Sequence, residues 1–248
     1  MNTLGMKFVP VPITGGPTDQ QRVLFSVWET RVQDYEVFGA ETGRGYQPPK
    51  YPQGSAHPAV NVRWDEAQAF CAWLTERERA AGKLSKTQLY RLPSDHEWSC
   101  AVGIGDREDP TMLPAEKSDK FPDTFPWGDA WTPPKDAGNY SGEEAVGHSV
   151  FPDQRTLPSH RDDIPTSAPV GSFAANRVGL FALGGNAGEW CDDWLDAKQE
   201  RRVIRGTTFA IEQRSYLLSS KRSGDLLKTR GNAYGFRCVL AEAPPAPK

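Results

Sequence analysis

Four cysteines and four histidines are the residues with which this 248-residue chain could hold a soft metal or run nucleophilic chemistry. Their spacing favours neither. Cys71, Cys100, Cys191 and Cys238 form no C-x-x-C pair and are scattered, which points away from a zinc site and from a disulfide framework. Reduced thiols are expected, with Cys71 a small buried group on the apolar face of a helix. His57, His96, His148 and His160 show no H-x-x-x-H or H-E-x-x-H spacing, and His96-Glu97 has no second histidine one turn later. Asp192 and Asp193 could suggest an acid–base pair, but adjacent residues on a strand point to opposite faces. There is no phosphate-cradling glycine loop and no G-x-S-x-G elbow, so no catalytic residue is assigned.

The elements that carry these groups read as one globular domain. Charged residues make up 25% and aromatics 10%, with eight tryptophans. A formal charge of -3 gives no reason to expect nucleic acid or an anionic membrane as partner. No apolar run approaches the roughly 20 residues of a membrane span. MNTLGMKF lacks the basic and apolar regions of a secretory signal, so a cytoplasmic protein, or a part of a longer one, is expected.

Three helices can be read locally. Thr30 and Gln33 suggest a capping box ahead of Val32, Tyr35 and Phe38. A second helix is expected from about Asp65, with Ala67, Phe70, Cys71 and Leu74 on one face. Ser94 and Glu97 cap a short third one. Strands are expected at Lys7–Val11, Leu24–Trp28, Arg202–Arg205 and Gly235–Leu240. Residues 103–169, rich in Pro, Asp and Gly without a clear period, read as long loops. The domain is expected to cover 1–240, with 241–248 as a flexible Pro-rich tail.

Several separated motifs share one resemblance. NTLGMKFVPVP, HPAVNVRWDEAQAFCAWL, YRLPSDHEW, FPWGD, AGNY, SAPVGSFAANRVGLF, GGNAGEW and GFRCVL follow one another in that order. Together they resemble the formylglycine-generating enzyme, or sulfatase-modifying factor, family over nearly the whole chain. The resemblance implies an α+β, C-type-lectin-like fold, loop-rich, with a small twisted antiparallel sheet and two or three helices. It does not carry the chemistry with it, because function resides in sites grafted on a fold. In the oxidase members two cysteines in the segment matching Gly206 to Arg222 bind copper, and here that segment has none. No copper is therefore expected. Some family members link the regions of Cys100 and Cys238, so such a bridge is conceivable.

The resemblance also implies calcium, which binds six to eight oxygens and can brace long loops without His or Cys. One site would use the side chains of Asn139 and Asp162 with the carbonyls of Tyr140 and Ile164. A second would use Glu189 with the carbonyls of Gly185 and Ala187, but its usual further ligand is replaced by Ala182. Without calcium, these side chains would cap turns.

What remains is the surface spanning 206–234. Thr207, Thr208, Phe209, Ile211, Gln213, Tyr216, Lys221, Asp225, Lys228, Asn232 and Tyr234 mix aromatic, aliphatic and charged groups between two strands, a composition suited to recognition. The expected function is a non-catalytic module binding a protein or other macromolecular ligand, one form being a variable protein of a diversity-generating retroelement. Two alternatives stand beside it: an oxidoreductase acting on a protein or peptide through other residues, and a regulatory domain of a multidomain signalling protein such as a kinase fusion.

Overall fold

A computed structural model describes residues 1–149, 153 and 155–243. In chain order the elements are β1 (Phe8–Pro12), β2 (Arg22–Ser26), α1 (Val32–Thr42), α2 (Trp64–Ala80), β3 (Gln88–Arg91), α3 (Asp95–Val102), the one-turn α4 (Pro114–Lys117), β4 (Gly188–Trp194), β5 (Arg201–Arg205), β6 (Ser223–Leu226), β7 (Tyr234–Gly235) and β8 (Val239–Glu242). The fold is α+β with the C-type-lectin-like architecture.

Where one small antiparallel sheet was expected, the described residues form two sheets of four strands. The first runs β1-β2-β8-β3 and is antiparallel throughout, bringing the C-terminal strand between elements from the start of the chain. The second runs β6-β5-β4-β7, with β4 and β7 parallel. β3, β4 and β6 escaped the sequence reading because each is short or interrupted by Asp and Gly. The expected tail begins too early: Ala241 and Glu242 pair with Leu89 and Gln88. Residues 244–248 of that tail lie outside the described residues.

The helices follow their signals with one shift of frame. Ser94 caps α3, its hydroxyl accepting from the Glu97 amide at 3.1 Å while Glu97 accepts from the Ser94 amide at 2.8 Å. α1 instead starts one residue later than the Thr30 box suggests: Asp34, not Gln33, reaches back to the Arg31 amide (3.0 Å) and holds its guanidinium. Thr30 is buried, its hydroxyl near the Cys238 sulfur. α2 buries the expected Ala67, Phe70, Cys71 and Leu74.

Those faces build one core around Phe70, which stacks on Tyr35 and meets Phe236 edge-on at 5.3 Å. Such aromatic pairs add about 0.5–1.5 kcal/mol beyond the apolar area they bury. A second core lies between the sheets and α3, formed by Val23, Phe25, Trp98, Leu183, Val203 and Val239. Between residues 103 and 169 the described residues form α4 and two short 3-10 turns, and otherwise loops.

Candidate functional site

β5 delivers the chain to the expected recognition surface through Gly206, whose φ of +73° is a left-handed turn that favours glycine. Arg205, just before the segment, and Arg222, within it, are both anchored in a buried charge cluster. Asp95, at the start of α3, accepts from Arg205 (2.5 Å) and Arg222 (3.0 Å) and pairs with Lys117 (2.7 Å). Glu108 takes the far side of Arg222 at 2.6 Å. Burial alone would raise the Asp95 pKa, but the three cations hold it well below the usual carboxylate range. Breaking such a pair from one side costs about 3–5 kcal/mol, so the segment is held at 205 and 222. Nothing in the sequence marked Arg205 and Arg222 as partners of a residue more than 100 positions away.

Along 206–234 the expected ligand-binding residues divide. Thr207, Thr208 and Phe209 are buried, with Phe209 edge-on to Tyr51 at 5.3 Å, and are scaffold. Leu217 is buried against Phe125 and Tyr140. Gln213 and Lys228 are exposed. Ile211, Tyr216, Lys221, Asp225, Asn232 and Tyr234 are half-buried. Lys221 is committed to Asp119 at 3.0 Å and lies over the Tyr216 ring. Ile211, Asp225, Asn232 and Tyr234 come together around a pocket of about 370 Å³, walled also by Thr208 and Phe209.

The first cation site fits its residues. Asn139 is fully buried, and its Oδ1 has no donor, although its Nδ2 bonds the Thr166 carbonyl and Asn186. Asp162 accepts from the amides of Tyr140 and Ile164, both at 2.9 Å, so it clasps the two residues whose carbonyls the site would use. The Glu144 carboxylate is close by; burial, with the Asp162 charge, pushes its pKa up. An orphaned amide oxygen next in sequence to the residue that the Asp162 carboxylate holds suits a hard cation. Among the described residues no three His, Cys, Asp or Glu side chains converge, so amide and carbonyl oxygens would have to complete the shell.

The second cation site does not fit. Arg237 grips Glu189 with two hydrogen bonds of 2.5 and 2.7 Å, and Trp98 donates to it at 3.0 Å. The guanidinium already supplies the positive charge a calcium ion would bring to Glu189, Gly185 and Ala187. Ala182 offers no oxygen of its own side chain. Asn186, from the same GGNAGEW motif and not singled out in the sequence, connects both regions. Its amide donates to the Asn139 carbonyl (2.8 Å), its carbonyl accepts from Phe209 (3.2 Å), and its Nδ2 donates to the buried Glu29 (3.0 Å).

All four thiols are free and buried. Cys238 faces Cys71, at 3.5 Å between sulfurs, whereas Cys100 lies 3.7 Å from His96, so Cys100 and Cys238 do not meet. Asp192 and Asp193 diverge as expected: Asp192 accepts from Gln68 and Asp193 from the Asp95 amide.

A family model described as Sulfatase-modifying factor enzyme 1-like domain matches residues 15–242. The formylglycine-generating enzyme of Bos taurus is 30% identical over 226 residues, covering 82% of this chain and 50% of that protein. Inactive C-alpha-formylglycine-generating enzyme 2 of Bos taurus is 26% identical over 196 residues, covering 76% and 50%. Serine/threonine-protein kinase pkn1 of Chlamydia caviae is 24% identical over 205 residues, covering 76% and 25%. The chain thus spans about half the length of the formylglycine-generating relatives it matches. Among solved structures, PvdO from Pseudomonas aeruginosa has a TM-score of 0.64 at 19% identity, covering 96% of this chain and 91% of that one. Treponema denticola variable protein 1 has a TM-score of 0.60 at 18% identity, covering 94% and 92%. Both likenesses concern the fold.

Proposed function

Since the chain belongs to the sulfatase-modifying factor family, we propose that it serves there as a non-catalytic module that binds a protein or other macromolecular ligand through its 206–234 surface. One observation carries this reading: no cysteine lies between Cys191 and Cys238, and none of the four thiols is exposed. Cu(I) is a soft ion that prefers sulfur. The only pair of thiols in contact, among the described residues, lies beneath the aromatic core, out of reach of a peptide. The relative named as inactive is consistent with a family in which the fold outlives the oxidase.

Calcium at Asn139, Tyr140, Asp162 and Ile164 belongs to the same reading, as a brace for the long loops behind the surface. Selecting peptides from a random display library on the full chain tests it. Binders should weaken on Tyr216→Ala and Lys228→Ala while the melting temperature stays put. Binders indifferent to both would move the site elsewhere. A second reading, a regulatory domain of a larger signalling protein, is favoured by the kinase relative, of which this chain matches a quarter.

A further inference from the structure

Building on the 206–234 surface as the recognition site, we propose that the pocket between β6 and β7 receives one basic side chain of a protein partner, a guanidinium ahead of an ammonium. Its volume, about 370 Å³, lies within the roughly 300–1,000 Å³ of small-ligand sites. Phe209 and Ile211 supply apolar wall, and Tyr234 supplies an aromatic one. The Tyr234 ring is held between Gly231, where a Cβ would collide with it, and the edge of Trp190 at 5.9 Å, so this wall is rigid.

The charge of the pocket decides the ligand. Asp225 uses Oδ1 to accept from the Leu226 amide and the Thr229 hydroxyl, both at 2.8 Å. Among the described residues Asp225 forms no ion pair, and its Oδ2 accepts no hydrogen bond. Among the described residues, Arg230 is the one cation in the pocket wall, and it is spent on Glu66 and on the Asn61 carbonyl. One carboxylate charge is left uncompensated. It also shares the cavity with the Tyr234 phenol, whose pKa is raised by burial first and by Asp225 second. An uncompensated carboxylate beside a fixed aromatic face complements a flat cation that can stack and donate together, which a guanidinium does better than an ammonium.

The test uses the full chain and the best peptide from the display selection. Arginine should be enriched at one position, and replacing it with citrulline, which keeps the shape without the charge, should weaken binding about tenfold or more. In Asp225→Asn, of unchanged melting temperature, the arginine and citrulline peptides should bind alike. Binders without an enriched basic residue, or equal affinity of both peptides for the unmodified chain, overturn the proposal. In that event Tyr216→Ala and Lys228→Ala separate the two claims. If they still weaken binding, the surface stands without a basic subsite; if they do not, or if no peptide binds, the recognition surface falls with it.

Discussion

Glu29→Gln should stabilise this protein at alkaline pH and do little in acid. Glu29 is completely buried; one carboxylate oxygen accepts from Asn186, and the other has no partner. Its nearest cation, Arg237, is gripped by Glu189. Burial, opposed by Arg237 and aided by the Glu189 charge, raises the Glu29 pKa from 4.5 to about 7. With the folded value above the unfolded one, the contribution to stability is intact below pH 4.5 and is lost as pH rises through 7. The separation of the two values amounts to about 3 kcal/mol in full. Between about pH 5 and pH 8 the stability gap between Glu29→Gln and the unmodified protein should therefore change by roughly 2–3 kcal/mol, or roughly 5–10 °C for a domain of this size. Thermal melting of both proteins across that range reads the gap directly. Comparison with the variant cancels the opposite trend of Asp95, Glu97 and Glu108, whose lowered pKa values make stability fall in acid. A gap that is the same at both pH values would refute the account of a carboxyl neutral in its buried pocket.

Calcium in excess over chelator should raise the melting temperature by several degrees, since a ligand held at 100 times its Kd adds about 2.7 kcal/mol. Asp162→Ala should abolish that rise; a protein indifferent to calcium would leave Asp162 as a turn cap. On the surface, Gln213→Ala and Lys228→Ala should change unfolding free energy by less than about 0.5 kcal/mol, whereas Phe209→Ala should cost about 3–5 kcal/mol. Denaturant titration separates the two, and equal costs would erase the division between surface and scaffold. Ser94→Ala should cost about 1 kcal/mol by leaving the Glu97 amide uncapped, and a Ser94→Asp control should restore most of it.

Local signals in the sequence were strong where the physics is local. Ser94 and Glu97 lie three residues apart and satisfy each other, and Ala67, Phe70, Cys71 and Leu74 share a face by helical geometry alone. Thr30 failed because Asp34 competed successfully for the helix start, with Arg31 adding an ion pair. The sequence did not separate scaffold from surface between 206 and 234: Thr207 and Phe209 look like plausible contacts in sequence, yet β5 turns them inward at Gly206. Long-range electrostatics were illegible. Glu189 carries the pattern of a calcium ligand, and only the folded chain brings Arg237 to it from 48 positions away. The same holds for Asp95 with Arg205 and Arg222, which hold the surface at its start and in its middle without leaving a motif.

On the reading proposed above, this chain has kept the fold of its family and given up its copper chemistry. Incubation of the purified protein with copper, a reductant and a peptide carrying Cys-x-Pro-x-Arg, followed by mass spectrometry, tests it most directly. The peptide should retain its thiol apart from ordinary disulfide formation. Conversion of that cysteine to an aldehyde, at a rate proportional to the protein added, would contradict the account.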